Sequence, residues 1–526
     1  MLLKALFIVI TFSLSVVGHN ILIIHPTPSI SHQRPVMSLI EALIKKGHNL
    51  YVVSPNVVPG LEKNYTFVDL SYSYKTLQDD DGAINLRRRM SKWDLSEVVA
   101  EIQRVLIDQY GSPQFTQFHK RVKEENITFD VALIETFYIP LECAMTRLLS
   151  GQGRTPPLIS MATVTYDFNV EEVIGSPAHG SFTPDAMDPY TDKMNIWQKI
   201  DNWLSVLYIK PSLWKIHEKA ARDHFRETYG PKYEALVDGC WTNISLSMIS
   251  SNFLYYYPRL HGPNVIELGP LHLKTPAKLP KNLQDWLDGA EKGVIYFSLG
   301  SNMKSKALPE NVRENFLRFF RELPAGYRVL WKWELDGKIP GQSDNILAQK
   351  WTPQESILAH PKVKVFIMQG GLQSMQETVH YGVPTVGIPW FGDQDSNVAK
   401  MVGAGIGTRI GPLELESYEK IKAAIDAVLY NTRYSENMKK LSAISRDFSS
   451  KGLDTAVFWI EHVAKFGGAP HLRPSTADAT LFEFFCYDIM AVILVISLTI
   501  LYLIRLVFKF SIAKLRSFTN SKIKKS

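Results

Sequence analysis

Residues 20–55, NILIIHPTPSISHQRPVMSLIEALIKKGHNLYVVSP, read as strand, loop, helix, turn and strand. The first apolar run stops at His25. Val36, Leu39, Ile40, Leu43 and Ile44 then recur on one helical face, Gly47 ends the helix, and a second apolar run follows. Two strands joined through a helix form a βαβ unit, which implies a parallel sheet with a right-handed crossover. The fold class is α/β.

Further along, residues 61–250 are less regular, with a helix-like stretch at 95–110 and irregular parts rich in Pro, Asp and Tyr. Irregular insertions on a parallel scaffold build pockets. Residues 262–292 are Pro- and Lys-rich and read as a linker. A second α/β series follows, with strands expected at 294–299, 328–333, 346–349, 363–368, 385–388 and 407–410. Helices are expected at 310–322 and 372–380, among others. Two doubly wound domains, 19–261 and 293–465, would leave a cleft between their strand ends, where such sheets bind ligands.

Residues 365–384, VFIMQGGLQSMQETVHYGVP, carry the chemistry. A strand ends at Gln369, turns through Gly370 and Gly371, and opens a helix whose unpaired N–H groups and dipole favour an anion. The glycines let a phosphate come close. Gln369 and Gln373 offer amides and Ser374 a hydroxyl. Glu377 lies one turn beyond Ser374 on the same face; it suits a sugar diol rather than a phosphate. The next strand ends at GIPWFGDQD, bringing Asp393 and Gln394 to the same rim. These groups together suit a sugar joined to a phosphate. The glycine spacing alone fits a packed strand–turn–helix equally well.

The longer run VFIMQGGLQSMQETVHYGVPTVGIPWFGDQ, residues 365–394, resembles the signature segment of the UDP-glycosyltransferases. The likeness continues in SISHQ (29–33), VIYFSLGSN (294–302), WTPQ (351–354) and the apolar, lysine-tailed end; HPTPSISHQ and FSLGSN resemble arthropod members more than vertebrate ones. The resemblance implies a GT-B enzyme of two Rossmann-like domains that works by inversion and without a metal. An N-terminal acceptor-binding domain would face a C-terminal UDP-sugar-binding domain. Trp351 would stack on the uracil and Gln354 would contact the nucleoside. Glu377 would hold the ribose hydroxyls, and Asp393 with Gln394 the transferred sugar. Ser301, Gln369, Gly371, Gln373 and Ser374 would surround the diphosphate.

On the acceptor side, the resemblance makes His32 the base and Glu135, where most members carry Asp, its orienting acid. His25 is a rival base just past the first strand, outside the family motif. Gln369 stands where many members have His, and its amide still donates a hydrogen bond. No cofactor is implied beyond the co-substrate UDP-sugar, with arthropod-like wording favouring UDP-glucose over UDP-glucuronate. The acceptor implied is a small lipophilic alcohol or phenol, as in detoxification or hormone conjugation. A catalytically weak binder of hydrophobic ligands and a biosynthetic lipid glycosyltransferase are the competing readings.

The ends place the enzyme. Residues 1–18 have the form of a cleaved secretory signal. Residues 484–504, FFCYDIMAVILVISLTILYLI, reach the ~20 residues that cross a bilayer. The tail 505–526 is basic, with Arg505, Lys509, Lys514, Arg516, Lys522, Lys524 and Lys525, so it belongs on the cytosolic side. A type I protein of the endoplasmic reticulum membrane is expected, its lysines three and five from the end resembling a retrieval signal. Asn64, Asn126 and Asn243 open glycosylation sequons. Cys143 and Cys240 form one disulfide or remain two buried thiols.

Much of the +6 net charge sits in the tail, so nucleic acid is not an expected partner. The partners expected are UDP-sugar, a lipophilic acceptor and the membrane; self-association is left open. No Cys/His cluster has metal spacing and no G-x-S-x-G is present. Asp79, Asp80 and Asp81 read as a solvated turn, and Arg87, Arg88 and Arg89 as a solvated helix face.

Overall fold

The computed structural model describes residues 18–77, 92–93, 95–151, 154–165 and 170–523. The expected leader (to residue 17), the acidic turn at 79–81 and the basic run at 87–89 lie outside the described residues. The chain forms two compact units, one ending at Arg473 and the other beginning at Pro474.

The first unit holds two sheets. Strands β1 (Asn20–Ile24), β2 (Asn49–Ser54), β3 (Thr66–Asp69), β4 (Val131–Glu135), β5 (Leu158–Ala162), β6 (Ile244–Ile249) and β7 (Val265–Glu267) lie in the order β3-β2-β1-β4-β5-β6-β7. Strands β8 (Gly293–Ser298), β9 (Tyr327–Lys332), β10 (Ile346–Gln349), β11 (Val363–Met368), β12 (Thr385–Gly387) and β13 (Gly407–Arg409) lie in the order β10-β9-β8-β11-β12-β13. Every pairing is parallel. Strands β4, β5 and β8 are buried along their whole length, because helices cover both faces and leave no side for polar alternation. Each sheet reverses its winding once, between β1 and β4 and between β8 and β11. Ligands of such sheets bind beyond the strand ends at those points.

Three expected boundaries shift. The stretch 262–292 is not a bare linker: its Val265–Glu267 pairs with β6 as an edge strand, and Lys281–Asp288 is a helix burying Leu283 and Leu287. Flanking prolines are compatible with a three-residue edge strand, whose outer side needs no ladder. Second, the helix Gly452–Phe466 follows the second sheet in sequence yet packs on the first. Its Ala456, Val457, Ile460 and Val463 share a core with Ile21, Ile23, Val131 and Leu133. An added Cβ at Gly452 would lie 2.2 Å from the Leu268 carbonyl oxygen, so only glycine permits this approach.

Third, in the second unit the apolar helix spans Tyr487–Ile523, beginning after Cys486, whose φ of 57° separates it from the short helix Leu481–Phe484. Its Tyr487–Ser517 part is long and apolar enough to cross a membrane. The helix carries on into the stretch expected to be a separate basic tail.

Cys143 and Cys240 are joined in a disulfide, tying the helix Ile139–Ser150 to the turn before β6 across 97 residues of sequence. Replacing both cysteines with alanine should cost about 2–5 kcal/mol of stability, seen as a lowered thermal midpoint. Non-reducing peptide mapping should find the pair linked.

Candidate active site

His32 is the third residue of the helix Ile30–Lys45, which follows β1. It is half-buried, its Nδ1 shares a 3.0 Å hydrogen bond with Thr163 Oγ1, and its ring lies against Phe137. Burial pulls its pKa down to about 4, so the imidazole is neutral near neutral pH.

Glu135 ends β4 but does not hold His32. Its Oε2 accepts the Thr27 N–H at 3.0 Å and its Oε1 lies 3.3 Å from His25 Nε2. The reason is register: Ile24 faces Ile134 across the β1–β4 pair, which makes the next residues, His25 and Glu135, neighbours. The expected His32–Glu135 pair is replaced by His32–Thr163 and His25–Glu135. Burial pushes Glu135 up to about 7. Burial lowers His25 to about 3, with repulsion from His32 adding to the shift. Glu142 lies beneath, its Oε2 accepting the Glu135 N–H at 2.6 Å, and burial followed by the charge of Glu135 holds it well above the carboxylate range.

On the facing sheet, β11 ends at Met368 and the chain turns through Gln369 and two glycines into the helix Leu372–Tyr381. The glycines differ. Gly370 has φ of 94°, and an added Cβ would lie 2.5 Å from Val398 Cγ2. Gly371 caps the helix in extended backbone, where an added Cβ would meet only Gln369 Nε2, at 3.5 Å. Gly370 is thus required by the turn, while Gly371 lets another group approach the first N–H groups of the helix, which no side chain caps. Gly300, after β8, has φ of 82°, and an added Cβ there would lie 2.5 Å from Gln369 Nε2. Ser301 follows, half-buried.

Many expected site residues are engaged within the protein. Gln373 donates Nε2 to the Thr163 carbonyl at 2.9 Å, so Thr163 links the His32 imidazole to the helix start on the other sheet. Gln354 donates Nε2 to Ser374 Oγ at 2.9 Å and to Glu377 Oε2 at 2.6 Å. Asp393 Oδ2 accepts from Thr165 Oγ1 at 3.2 Å, and burial raises its pKa. Gln394 turns its Oε1 back onto the Trp390 N–H at 2.8 Å, bracing its own loop. Trp351 is 67 % exposed, with Lys332 Nζ 5.5 Å from its ring centroid. Beside Thr165 lies a small cavity of about 20 Å³ lined by Pro184, Tyr190, Tyr256, Tyr257 and Lys400 among others.

Glu377 is fully buried. Its Oε1 accepts from Arg34 Nη1 at 2.7 Å and lies 3.4 Å from His272 Nε2. Burial would raise this carboxyl, but His272, Arg34 and Gln354 outweigh that and hold it below the usual carboxylate range. Arg34 also bonds Glu355. Arg34, His272, Thr163 and Thr165 were not singled out in the sequence. Only Arg34 had a signal, standing two residues after His32 on the same helix.

The comparisons with known proteins give the family. The profile of the family described as "UDP-glucoronosyl and UDP-glucosyl transferase" matches residues 20–525. The chain belongs to that family. It is 29 % identical over 514 residues to the UDP-glycosyltransferase UGT5 of Dactylopius coccus, covering 95 % of this chain and 93 % of the relative. To human UDP-glucuronosyltransferase 2A3 it is 30 % identical over 517 residues, covering 92 % of each. Among solved structures, the glycotransferase of kitacinnamycin aligns with a TM-score of 0.55 at 18 % identity, covering 85 % of this chain and 99 % of the other. The glycosyltransferase VinC in complex with DTDP aligns at 0.53 and 14 % identity, covering 85 % and 100 %. The fold is GT-B, and the chain is a UDP-glycosyltransferase, an enzyme of sugar transfer from a UDP-sugar.

A ribose diol that reaches Glu377 must take the place of Arg34. Arg34→Gln should therefore bind UDP about five-fold more tightly in calorimetry, the equivalent of ~1 kcal/mol. The ligand-free variant should melt lower, because Glu377 loses a partner. Weaker UDP binding would mean that Arg34 assists the nucleotide rather than competing with it.

Proposed function

We propose that this enzyme transfers a hexose, glucose by preference, from UDP-sugar to small lipophilic acceptors with inversion at the anomeric carbon and without a metal. The observation that carries the reading is the neutral His32, set across the cleft from the helix start beyond Gly371. With the proton of Nδ1 donated to Thr163 Oγ1, His32 Nε2 holds the lone pair that removes the acceptor proton. The acceptor oxygen then bonds to the anomeric carbon on the face opposite UDP, while the bond from that carbon to the phosphate oxygen breaks. Negative charge develops on the diphosphate. The first N–H groups of the Leu372–Tyr381 helix stabilise it, with Gly371 permitting approach and Gln369 and Gln373 supplying amides beside them. Ser301 and Ser374 add hydroxyls at the same level.

In this reading Trp351 stacks on uracil, Gln354 touches the nucleoside, and Glu377 receives the ribose once Arg34 has moved. Asp393 holds the sugar, and Gln394 shapes the loop that presents it. Glu135 acts at one remove, holding His25 behind the base. Conjugation of lipophilic metabolites, as in detoxification, fits an enzyme of this kind held at a membrane.

His32→Ala should lower kcat about 10²–10⁴-fold, with UDP binding unchanged by calorimetry. In the native enzyme the acid limb of kcat/KM should fall near pH 4, because burial keeps the imidazole unprotonated down to that value. A limb at pH 6.5 would point to an exposed base. UDP binding without transfer to any of a panel of phenols and sterols would favour the silent-binder reading, and transfer only to a lipid extract the biosynthetic one.

The location proposed is the endoplasmic reticulum membrane, with the sheets lumenal and Tyr487–Ser517 crossing once. The disulfide supports an oxidising compartment. Asn64 and Asn126 are exposed, whereas Asn243 donates its Nδ2 to the Pro156 carbonyl at 2.8 Å. Enzymatic deglycosylation should therefore release glycans from Asn64 and Asn126 and leave Asn243 unmodified, as read by mass spectrometry.

A further inference from the structure

Nitrogen and oxygen donors gather at the edge of the first sheet that faces away from the cleft. His19 stands just before β1 and His48 just before β2, whereas His25 follows β1 at its other end, about 20 Å along the strand. The β1–β2 register pairs Asn20 with Asn49, which sets His19 beside His48. The His19 N–H donates to His48 Nδ1 at 3.2 Å, and the two rings stack with centroids 5.6 Å apart. Asp130, the residue before β4, places Oδ2 3.4 Å from His19 Nδ1.

The tautomer of His48 is set by its second contact. Nδ1 accepts from His19, so Nε2 carries the ring proton and donates to Glu461 Oε1 at 3.1 Å. Glu461 comes from the helix Gly452–Phe466, and the His48 side chain is buried between the two contacts. A carboxylate behind an imidazole is the arrangement that orients metal-ligating histidines. Among the described residues no three His, Cys, Asp or Glu side chains are grouped to hold a metal ion. The further donor here belongs to the main chain. Residues 1–18 have the form of a cleaved leader, with small Gly18 last and Val16 two before it. Hydrolysis of the Gly18–His19 bond adds water across it, leaving a carboxylate on Gly18 and an amine on His19. The nitrogen that now donates to His48 then gains a lone pair of its own. The amine and Nδ1 of one histidine close a six-membered chelate ring around an ion. Two donors on one ion, each bonded at ~2.0–2.1 Å, stand roughly 2.8–3.4 Å apart, the spacing seen between His19 N and His48 Nδ1 and between His19 Nδ1 and Asp130 Oδ2.

We propose that removal of the leader creates a site for a divalent late transition-metal ion, held by the amine and Nδ1 of His19, Nδ1 of His48 and the Asp130 carboxylate. Copper(II) is the best fit, because nitrogen-rich sites bind it more tightly than the other first-row divalent ions. Binding displaces the amine proton to water. The ion lies apart from the sugar-transfer cleft and pins the new chain end to β2 and β4, and through Glu461 to the returning helix. The inference rests on the leader ending at Gly18.

The test uses the full chain from secretory-pathway expression, purified in detergent without a histidine tag and stripped with a chelator. Peptide mapping should find His19 as the first residue. One equivalent of copper(II) should give an electron paramagnetic resonance spectrum of nitrogen-coordinated copper and raise the thermal midpoint. His48→Ala and Asp130→Asn should each weaken copper(II) binding at least ~10-fold, and Glu461→Gln, which acts through His48, about 10-fold. His462→Ala, which removes half of a second histidine pair with Nε2 atoms 3.2 Å apart, should leave it unchanged. Asp130 is partly exposed, so its variant keeps the test sound if His48→Ala fails to fold. A mature chain that starts elsewhere overturns the proposal at the leader and leaves the sugar-transfer reading untouched. Copper(II) binding that is indifferent to Asp130→Asn and His48→Ala, in a chain that does start at His19, overturns the site itself.

Discussion

The buried carboxylate of Glu377 is the constraint on which the cleft depends. A charge taken fully out of water must be paired or it will neutralise. Three segments supply its partners: Arg34 from the helix after β1, His272 from the stretch between the sheets, and Gln354 from the turn after β10. Stripping a partner from a buried ion pair costs about 3–5 kcal/mol when both groups are dry. Arg34 is 36 % exposed, so its share is smaller, and water can replace it more readily than it could replace His272. The least buried partner is therefore the one that can give way to a sugar hydroxyl without leaving the carboxylate bare.

That pairing also explains why the His32 imidazole and the helix start face each other. Arg34 and His32 sit on one helix, two residues apart, so a contact that fixes Arg34 on the second sheet's side also fixes the height of the imidazole. Thr163 supplies a second tie, its hydroxyl on His32 and its carbonyl on Gln373. Thr165 supplies a third through Asp393. The groups that would act on acceptor and donor are thus bridged by backbone and side chains just beyond β5. The helix Gly452–Phe466, returning to pack on the first sheet, closes the same two halves from the other side.

The behaviour of Glu135 shows how neighbouring residues share limited donors. A carboxyl with no exposure needs N–H groups, and the loop after β1 offers that of Thr27, with the His25 ring 3.3 Å from the other oxygen. Glu142 lies directly behind, so two full charges would repel at close range in a dry site. Burial relieves this by keeping both pKa values high. His32 is left to a hydroxyl rather than a carboxylate, which holds its imidazole in place without raising its proton affinity. This accords with the low pKa of His32.

Much of the architecture was legible because it rests on local periodicity. The βαβ opening, the strands of the second sheet and the glycine turn before Leu372 fall within a residue or two of their positions, since apolar runs and helix stops are written in adjacent residues. The signature around Gln369 and Glu377 likewise named the groups at one sheet's rim. What the sequence could not assign were contacts made by register and by return of the chain. That His25 rather than His32 meets Glu135 follows from the pairing of Ile24 with Ile134. That Arg34 and His272 meet Glu377 follows from two sheets folding face to face. Local pattern determines which elements form and which chemistry stands at their tips; only the tertiary structure decides who is paired with whom, because a buried charge chooses its partners by distance in space and not along the chain.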